Sequence, residues 1–437
     1  MRKICSLILI AISLSISGCS LNKTSEVNKN ISGFDKDEEY VSMWVHVIEE
    51  TPEGESYAKA VEKFNEKYDG KYFLDVEFVP RNESGGGYSD KVNASVISGG
   101  LPDVITVDGP NISAYAANNI IQPLKELSLE EKEEYLPSII DQGTINGQLY
   151  ALGAMESSVG FYYNKDIIEE LGIEIPDFDN PWTWSELLEV CEKVSSHLED
   201  GYAIDMPFPT GESTIYYYAP FIWANEGDFI SEDGLNVDGI FNSEKNQEVL
   251  NYFEELVNKG YVAKVAIDNL FETGRAAFLF DGAWAINNIS TNYPDLNLGI
   301  APYPVGEDWN GEKYTPTGSW AYAVTKTSEK LEAATEVVKY MSGVESGVLL
   351  YKNTGNLPST YRAYEQLEDF KEDGLFKELY TQLVKYGHPR PKSPAYPQIS
   401  TSFQQAVEGV LLNDESSEEA LSKSMRRIED RLIRYQK

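Results

Sequence analysis

The chain has 437 residues, with 36 lysines and arginines against 71 aspartates and glutamates, and its formal net charge is -35 at pH 7. So acidic a chain is a poor candidate for binding nucleic acid or anionic lipid surfaces, and neutral or cationic ligands suit it better. The length is typical of more than one domain and allows a core large enough to stabilise the fold.

The N-terminal segment predicts export and lipid anchoring. Arg2 and Lys3 precede an apolar run too short to span a membrane, which is typical of a secretory signal over residues 1–18. The ending ISGC resembles a bacterial lipobox, so we expect Cys19 to carry lipid, including palmitate, and to anchor the chain at the extracytoplasmic face of the cell membrane. The alternative is an ordinary cleaved signal with a chance cysteine. Residues 19–39 are polar and predict a flexible tether.

After the tether, the hydrophobic pattern predicts a β-α-β order. A largely apolar strand over 41–48 is followed by apolar residues at helical spacing from Tyr57 to Tyr68, and then by an alternating strand over 74–78. The segment DVITV, 103–107, adds a short apolar strand. This order predicts an α/β lobe with a parallel sheet.

The rest of the chain is richer in predicted helix. A crossing strand near Tyr150 and a strand ending near Tyr163 come first, and Thr183 with Glu186 has the spacing of a capping box. Amphipathic patterns predict helices over 245–258, 331–341 and 376–384 and near the C-terminus, where Leu421, Met425, Ile428 and Leu432 form one apolar stripe. The sequence indicates two α/β lobes without showing where the chain passes between them.

Motifs for cofactors, metals or catalysis are missing from the sequence. The three histidines lie far apart and have no metal-ligand spacing, and no phosphate-binding glycine loop or nucleophile elbow occurs. We therefore expect no cofactor, no metal and no catalytic residues. Cys191 stands alone in a predicted helix once Cys5 leaves with the signal and Cys19 is lipidated, which predicts a fold without an internal disulfide.

Aromatic residues are the most informative part of the composition. The chain has 7 Trp, 28 Tyr and 17 Phe. A planar ring can stack on the C–H-rich face of a sugar while carboxylates bond its hydroxyls, but aromatic rings also fill hydrophobic cores. Composition alone leaves both interpretations open.

Several segments together resemble one protein family. These segments, in order, are EKFNEKY, SGGLPDVITVD, INGQLYALG, YYNKDI, PWTWSELLE, FETGRAAFLFDGAWAI, LGIAPYPVG and TGNLPS. Their order is similar to that in the extracellular solute-binding proteins of carbohydrate ABC importers, the maltose-binding-protein group of family 1. The resemblance covers most of the mature chain and implies a periplasmic-binding-protein fold with interleaved lobes, a hinge and a central ligand cleft. It implies one lobe over 40–151 and 285–321 and another over 152–284 and 322–437.

The resemblance also implies aromatic ligand contacts. Trp284, in DGAW, corresponds to a sugar-stacking position of the family. Phe403 falls where maltose binders have a second stacking tryptophan, so a smaller ring stands there. Tyr216 lies at another aromatic contact position, with Trp223 nearby.

Acidic and polar positions complete the implied site. Glu156 matches a carboxylate of the cleft and Asp108 matches a loop that bonds sugar hydroxyls. The segment from His46 to Glu50 resembles the contact loop of the first lobe, with Glu49 replacing the family's lysine. Asp281 is a further candidate, with a plain turn residue as the alternative.

The segment TPTGSWAYAV places Trp320 after Gly318 and Ser319, at the start of a predicted strand. Core packing and a binding platform are the two interpretations. The implied position near the return between lobes favours the platform, with Ser319 and Trp320 as ligand contacts.

These expectations together describe a monomeric, non-catalytic receptor. It would capture a neutral sugar or short oligosaccharide and deliver it to the permease and ATPase subunits of an ABC transporter. A surface glycoside hydrolase is one alternative, because paired carboxylates and aromatic rings suit that chemistry. A binder of glycerol-phosphate-type ligands is another, and its only hints are Arg81, Arg275 and the run HPRPK, 388–392, which we expect to be solvent-exposed charge.

Overall fold

The computed structural model describes residues 34–436, apart from 36, 82–86, 157, 208, 313–314, 319 and 372. The signal segment, Cys19, most of the tether and Ser319 therefore lie outside the described residues. Within the described ranges, no helix is both long and apolar enough to cross a membrane.

The strands of the described chain belong to two main sheets and two short pairs. In chain order they are β1 (Glu39–Val45), β2 (Tyr72–Phe78), β3 (Val104–Asp108), β4 (Thr144–Ile145), β5 (Gln148–Leu149), β6 (Ala151–Gly153), β7 (Val159–Asn164), β8 (Tyr202–Asp205), β9 (Ala276–Gly282), β10 (Leu298–Ala301), β11 (Thr315–Thr317), β12 (Trp320–Val324) and β13 (Gly387–Pro389).

The helices surround these sheets. In chain order they are α1 (Pro52–Lys67), α2 (Tyr88–Ser98), α3 (Ile112–Ala117), α4 (Leu129–Glu133), α5 (Pro137–Gly143), α6 (Lys165–Glu170), α7 (Trp184–His197), α8 (Gly211–Ala224), α9 (Glu244–Asn258), α10 (Trp284–Asn292), α11 (Leu331–Met341), α12 (Val344–Thr354), α13 (Tyr361–Glu365), α14 (Leu375–Tyr386), α15 (Tyr396–Asn413) and α16 (Ser417–Leu432).

The first lobe is built on the sheet β2-β1-β3-β12-β6. Strands β1, β2 and β3 are parallel, as the opening β-α-β pattern predicts, whereas β12 is antiparallel to both β3 and β6. Helices α1, α11 and α12 pack together on this sheet. Its central strands β3 and β12 are buried on both faces, and Val104 and Val324 are completely covered.

The second lobe is built on the sheet β10-β7-β9-β8. Strand β7 lies antiparallel to both β9 and β10, and β8 is parallel to β9. Helices α8, α9, α15 and α16 pack against one another beside this sheet, which produces a core rich in aromatic rings.

Strand β11, which comes just before β12 in the chain, forms a short parallel pair with β13. Thr315 is fully buried there, and its hydroxyl is within hydrogen-bond distance of Ser158 and of the Gln382 amide. The same amide donates to the carbonyl of Val159 at 2.9 Å. Polar side chains therefore replace apolar packing where the chain crosses between the lobes.

Most of the elements predicted from periodicity occur in the structure. The helix predicted over 331–341 has those bounds, and the stripe of Leu421, Met425, Ile428 and Leu432 is the buried face of α16. Thr183 is the N-cap of α7 and forms a reciprocal capping box with Glu186. Cys191 lies buried on α7 as a free thiol, and burial raises the pKa of that thiol.

The division of the chain between lobes differs from the implied boundaries. The boundary at 321/322 falls inside β12, which pairs with β3 along its whole length. Strand β10, within the segment assigned to the first lobe, pairs with β7 of the second sheet. Helices α11 and α12, assigned to the second lobe, pack on the first. Strand pairing and helix packing decide to which lobe each segment belongs, and no local sequence pattern encodes these long-range contacts.

Candidate ligand-binding cleft

Trp284 and Tyr216 form an aromatic wall on the second lobe. Strand β9 ends at Gly282 and α10 begins at Trp284, whose side chain keeps 36% of its surface exposed. A Cβ at Gly282 would lie 2.3 Å from the Trp284 ring, so only glycine lets the indole fold back over the strand. The ring of Tyr216, from α8, lies nearly parallel to the indole, with centroids 6.1 Å apart and 18° between the planes.

Asp281 is the carboxylate next to this wall. Its Oδ1 accepts hydrogen bonds from the Tyr217 hydroxyl at 2.8 Å and from the Gly282 N–H at 2.7 Å. Burial raises the pKa of Asp281 to about 6, although both hydrogen bonds act in the opposite direction. Two donors fix the orientation of the Asp281 carboxylate next to an exposed aromatic face. A plain turn residue, the alternative considered from the sequence, would not need its carboxylate held in this way.

Asp108 and Trp320 are neighbours on the first lobe. Asp108 is the last residue of β3, and the antiparallel register of β12 places Trp320 directly opposite it. The half-buried indole of Trp320 stacks on His46 with centroids 3.4 Å apart, and the guanidinium of Arg81 lies 5.5 Å from the indole. Trp320 therefore has a backing ring beneath it and lies beside a carboxylate, an arrangement consistent with the platform interpretation.

His46 lies beneath this platform and is completely buried. Its Nδ1 is 3.1 Å from the Thr106 hydroxyl and its Nε2 is 3.3 Å from a carboxylate oxygen of Glu53. Burial lowers the pKa of His46, and the opposing attraction of Glu53 does not reverse this. A neutral imidazole held on both edges suits a supporting role better than direct contact with a ligand.

Glu156 shapes the turn that leads into Trp320. It is 1% exposed, and its carboxylate accepts the Gly318 N–H at 2.5 Å and the hydroxyl of Ser138. Gly318 has φ +86°, and a Cβ there would lie 2.6 Å from the Gln142 amide, so a side chain at this position is both strained and obstructed. Glu156 thus fixes the backbone at the crossing between the lobes.

Arg390 corrects the expectation that the run HPRPK is solvent-exposed charge, because its side chain is only 5% exposed. The guanidinium donates to both carboxylate oxygens of Asp108, at 2.8 and 3.2 Å, and to Glu212 at 2.6 Å. It also donates to the Gly318 carbonyl at 3.0 Å and lies 5.3 Å from the centre of the Tyr216 ring. Arg390 therefore connects the acidic and aromatic candidates of the two lobes.

Three sequence-predicted site residues lie away from this group. Phe403 is fully buried between Phe229 and Phe241, and Trp223 is buried against Phe229 and His388, so both rings pack in the second-lobe core. Glu49 lies exposed in the turn between β1 and α1. Ser319 lies outside the described residues. The remaining candidates are brought together: His46, Asp108, Glu156, Tyr216, Asp281, Trp284 and Trp320.

Sequence reasoning missed Glu212 and did not single out Arg390. Glu212 lies in the first turn of α8, where the hydroxyls of Ser400 and Tyr396 donate to its carboxylate. Burial raises the pKa of Glu212 despite the neighbouring Arg390. A single acid at a helix start is common on protein surfaces, so nothing local marks this residue as part of a site.

Two α/β lobes linked by crossing strands, with aromatic and acidic side chains from both lobes gathered around one arginine, define the class of two-lobed binding proteins. The family model described as bacterial extracellular solute-binding protein matches residues 49–347, and the chain belongs to that family.

Similar proteins cover nearly the whole chain. A galactooligosaccharide-binding protein of Bacillus subtilis is 23% identical over 441 aligned positions, covering 97% of this chain and 96% of that protein. A maltooligosaccharide ABC transporter solute-binding lipoprotein of Streptococcus pneumoniae is 23% identical and covers 80% of each chain. The solved GacH receptor of Streptomyces glaucescens, crystallised unliganded and with acarbose, matches with a TM-score of 0.75 at 21% identity, over 92% of this chain and all of that one.

Proposed function

We propose that this protein captures a neutral sugar or short oligosaccharide between its two lobes and delivers it to the permease and ATPase subunits of an ABC transporter. The observation that carries the proposal is the wall of Trp284 and Tyr216 beside Asp281, with Asp108 and Trp320 contributed by the other lobe. Rings can orient a pyranose face while carboxylates accept its hydroxyl protons. The relatives named for oligosaccharides support the same ligand class.

Ligand capture would work by a shift between open and closed arrangements of the lobes. A ligand that contacts both lobes binds the closed arrangement more tightly and therefore increases its population. The permease would then distinguish a loaded receptor from an empty one by the arrangement of its lobes. No catalytic step is part of this cycle.

The alternative ligands and reactions fit the site less well. A phosphate group would have to displace a carboxylate from Arg390, because both Nη atoms already donate to Asp108, Glu212 or Gly318. A glycosidase needs one carboxyl to protonate the leaving oxygen and another to act as nucleophile or base. Asp108 is bound to a guanidinium and Glu156 is almost completely buried, so neither is placed for such work.

The proposed location is the extracytoplasmic face of the cell membrane, with lipid on Cys19 and a tether over 19–39. The support is the ISGC ending of the signal segment and the word lipoprotein in the name of the Streptococcus pneumoniae relative. A lipid anchor keeps a receptor close to its transporter without a membrane-spanning helix. We propose that it acts there as a monomer.

The test is a binding panel combined with a turnover assay. We expect a calorimetric signal and a thermal shift with at least one neutral mono- or oligosaccharide. Glycerol phosphate and a uronic acid should give weaker signals, and chromogenic glycosides should yield no product. If a broad saccharide panel gives no thermal shift while glycerol phosphate does, the carbohydrate assignment is wrong.

A further inference from the structure

Arg390 forms an ion-paired connection between the two lobes. On one side its guanidinium forms a bidentate pair with Asp108, at the end of β3 in the first lobe. On the other side it donates to Glu212, in the first turn of α8 in the second lobe. A single side chain therefore neutralises one acid from each lobe.

The surroundings of Arg390 fix both halves of this connection. Arg390 directly follows β13, and its third acceptor is the carbonyl of Gly318, which lies between β11 and β12. On the second lobe, the carboxylate of Glu212 also accepts the hydroxyls of Tyr396 and Ser400, both on α15. The Asp108 pair is thus anchored in the first lobe and the Glu212 pair in the second, and the guanidinium of Arg390 joins the two.

Opening the lobes would require Arg390 to lose its hydrogen bonds either to Asp108 or to Glu212. Arg390 is 5% exposed, so the loss of either ion pair leaves its guanidinium poorly solvated until water reaches it. A planar guanidinium can serve both carboxylates in a fixed geometry, whereas an ammonium group cannot. The connection therefore favours the arrangement in which Asp108 and Glu212 lie on either side of the same side chain.

We propose that Asp108, Arg390 and Glu212 form an interlobe latch that sets the closed fraction of the receptor before ligand arrives. This inference rests on the proposed binding function for its effect on affinity, but the latch itself concerns only the lobes. Affinity depends on the latch because the apparent dissociation constant equals the intrinsic constant divided by the fraction that is already competent to bind. A stronger latch increases that fraction, and a broken one decreases it.

The test uses Glu212→Gln, which keeps the size of the side chain and removes its charge. Arg390→Lys is the second variant, because it keeps the positive charge and loses the planar guanidinium that can bind two carboxylates at once. Lys423→Met is the matched control, since Lys423 forms a surface ion pair with Glu415 and both residues lie in the second lobe. All measurements are made at pH 8.

Interlobe distance is measured on the full chain with Cys5 and Cys19 replaced by serine. Fluorophores are attached through Ile97→Cys on α2 and Asn258→Cys on α9, both at exposed positions, while buried Cys191 stays unlabelled. Without added saccharide, Glu212→Gln and Arg390→Lys should lengthen the mean distance, and Lys423→Met should not. The affinity for the saccharide found in the panel should fall by about three- to tenfold in both latch variants.

An unchanged distance in both folded latch variants overturns the latch, even when affinity falls, because the residues then act on the ligand directly. If no saccharide binds the parent protein, the proposed function fails, and the distance in ligand-free protein still decides the latch. Cooperative urea unfolding of each variant verifies that it is folded. Should Glu212→Gln not fold, the decision rests on Arg390→Lys alone.

Discussion

The imidazole of His46 lies flat against the indole of Trp320, with 3.4 Å between ring centroids and 8° between planes. Thr106 and Glu53 hold the imidazole from inside the first lobe. The two rings therefore form one rigid unit where β3 ends and β12 begins. A binding surface of this kind loses little side-chain entropy when a ligand arrives.

We expect Trp320→Ala to weaken saccharide binding by about tenfold or more, equivalent to about 1.4 kcal/mol. Titration calorimetry gives the affinity and urea unfolding gives the stability. Trp184→Ala is the control, because Trp184 is buried in the second lobe against Tyr252 and should cost about 3–5 kcal/mol of stability with unchanged affinity. A large loss of stability with normal affinity in Trp320→Ala would assign Trp320 to the core.

Trp284→Ala is expected to reduce affinity by at least about tenfold with little change in unfolding free energy, because the side chain is the most exposed ring of the aromatic wall. Trp223→Phe provides the comparison. Trp223 is buried on the same lobe, so its substitution should lower stability by about 1–3 kcal/mol and leave the dissociation constant unchanged. Equal affinity losses in the two variants would contradict the assignment of Trp284 to the ligand surface.

Asp281→Asn should change the pH dependence of stability. The pKa of Asp281 in the folded protein, about 6, lies above its usual value, so its contribution to stability is full at low pH and is lost as the pH rises through 6. The asparagine variant lacks this loss, and its Oδ1 can still accept from Tyr217 and Gly282. Relative to the parent protein it should therefore be more stable at pH 8 than at pH 4, by about 1.4 kcal/mol for each unit of pKa shift.

Urea unfolding of both proteins at pH 4, 6 and 8 checks this expectation. The difference in unfolding free energy should change mainly between pH 4 and 6. A difference that is constant across the three pH values would mean that Asp281 is not shifted by burial.

Cys19→Ser should release the protein from the membrane, because the proposed anchor is a lipid on that residue. Cell fractionation and detergent phase partition measure the change. Cys191→Ala is the control, since its buried thiol has no part in anchoring, and it should remain with the membrane. Membrane retention of Cys19→Ser would point to a different means of attachment.

Local patterns predicted much of the secondary structure because those patterns arise from short-range physics. The 3.6-residue period gave the bounds of α11, and the spacing of Thr183 and Glu186 gave the cap of α7. The course of the chain between lobes depends on pairs such as β3 with β12, and such pairing leaves no local signature.

The candidate site was only partly predictable for the same reason. Trp284, Asp281 and Asp108 follow from the family resemblance; the structure places Trp284 beside Tyr216, Asp281 beside Tyr217 and Asp108 beside Arg390. The run HPRPK has the composition of an exposed loop, yet Arg390 is buried by acids 282 and 178 positions away in sequence. Phe403 was transferred by position alone, while the packing of α15 turns its ring into the core.

The pairing of β3 with β12 also determines when the first lobe can be completed during synthesis of the chain. One edge of β3 has no strand partner until the chain has been synthesised as far as Val324. An N-terminal fragment that ends earlier therefore lacks part of the first-lobe sheet. An unpaired, apolar strand edge is prone to pair with other chains. For a chain that is exported as proposed above, the first lobe therefore stays incomplete, with one edge of β3 unpaired, until β12 has been made.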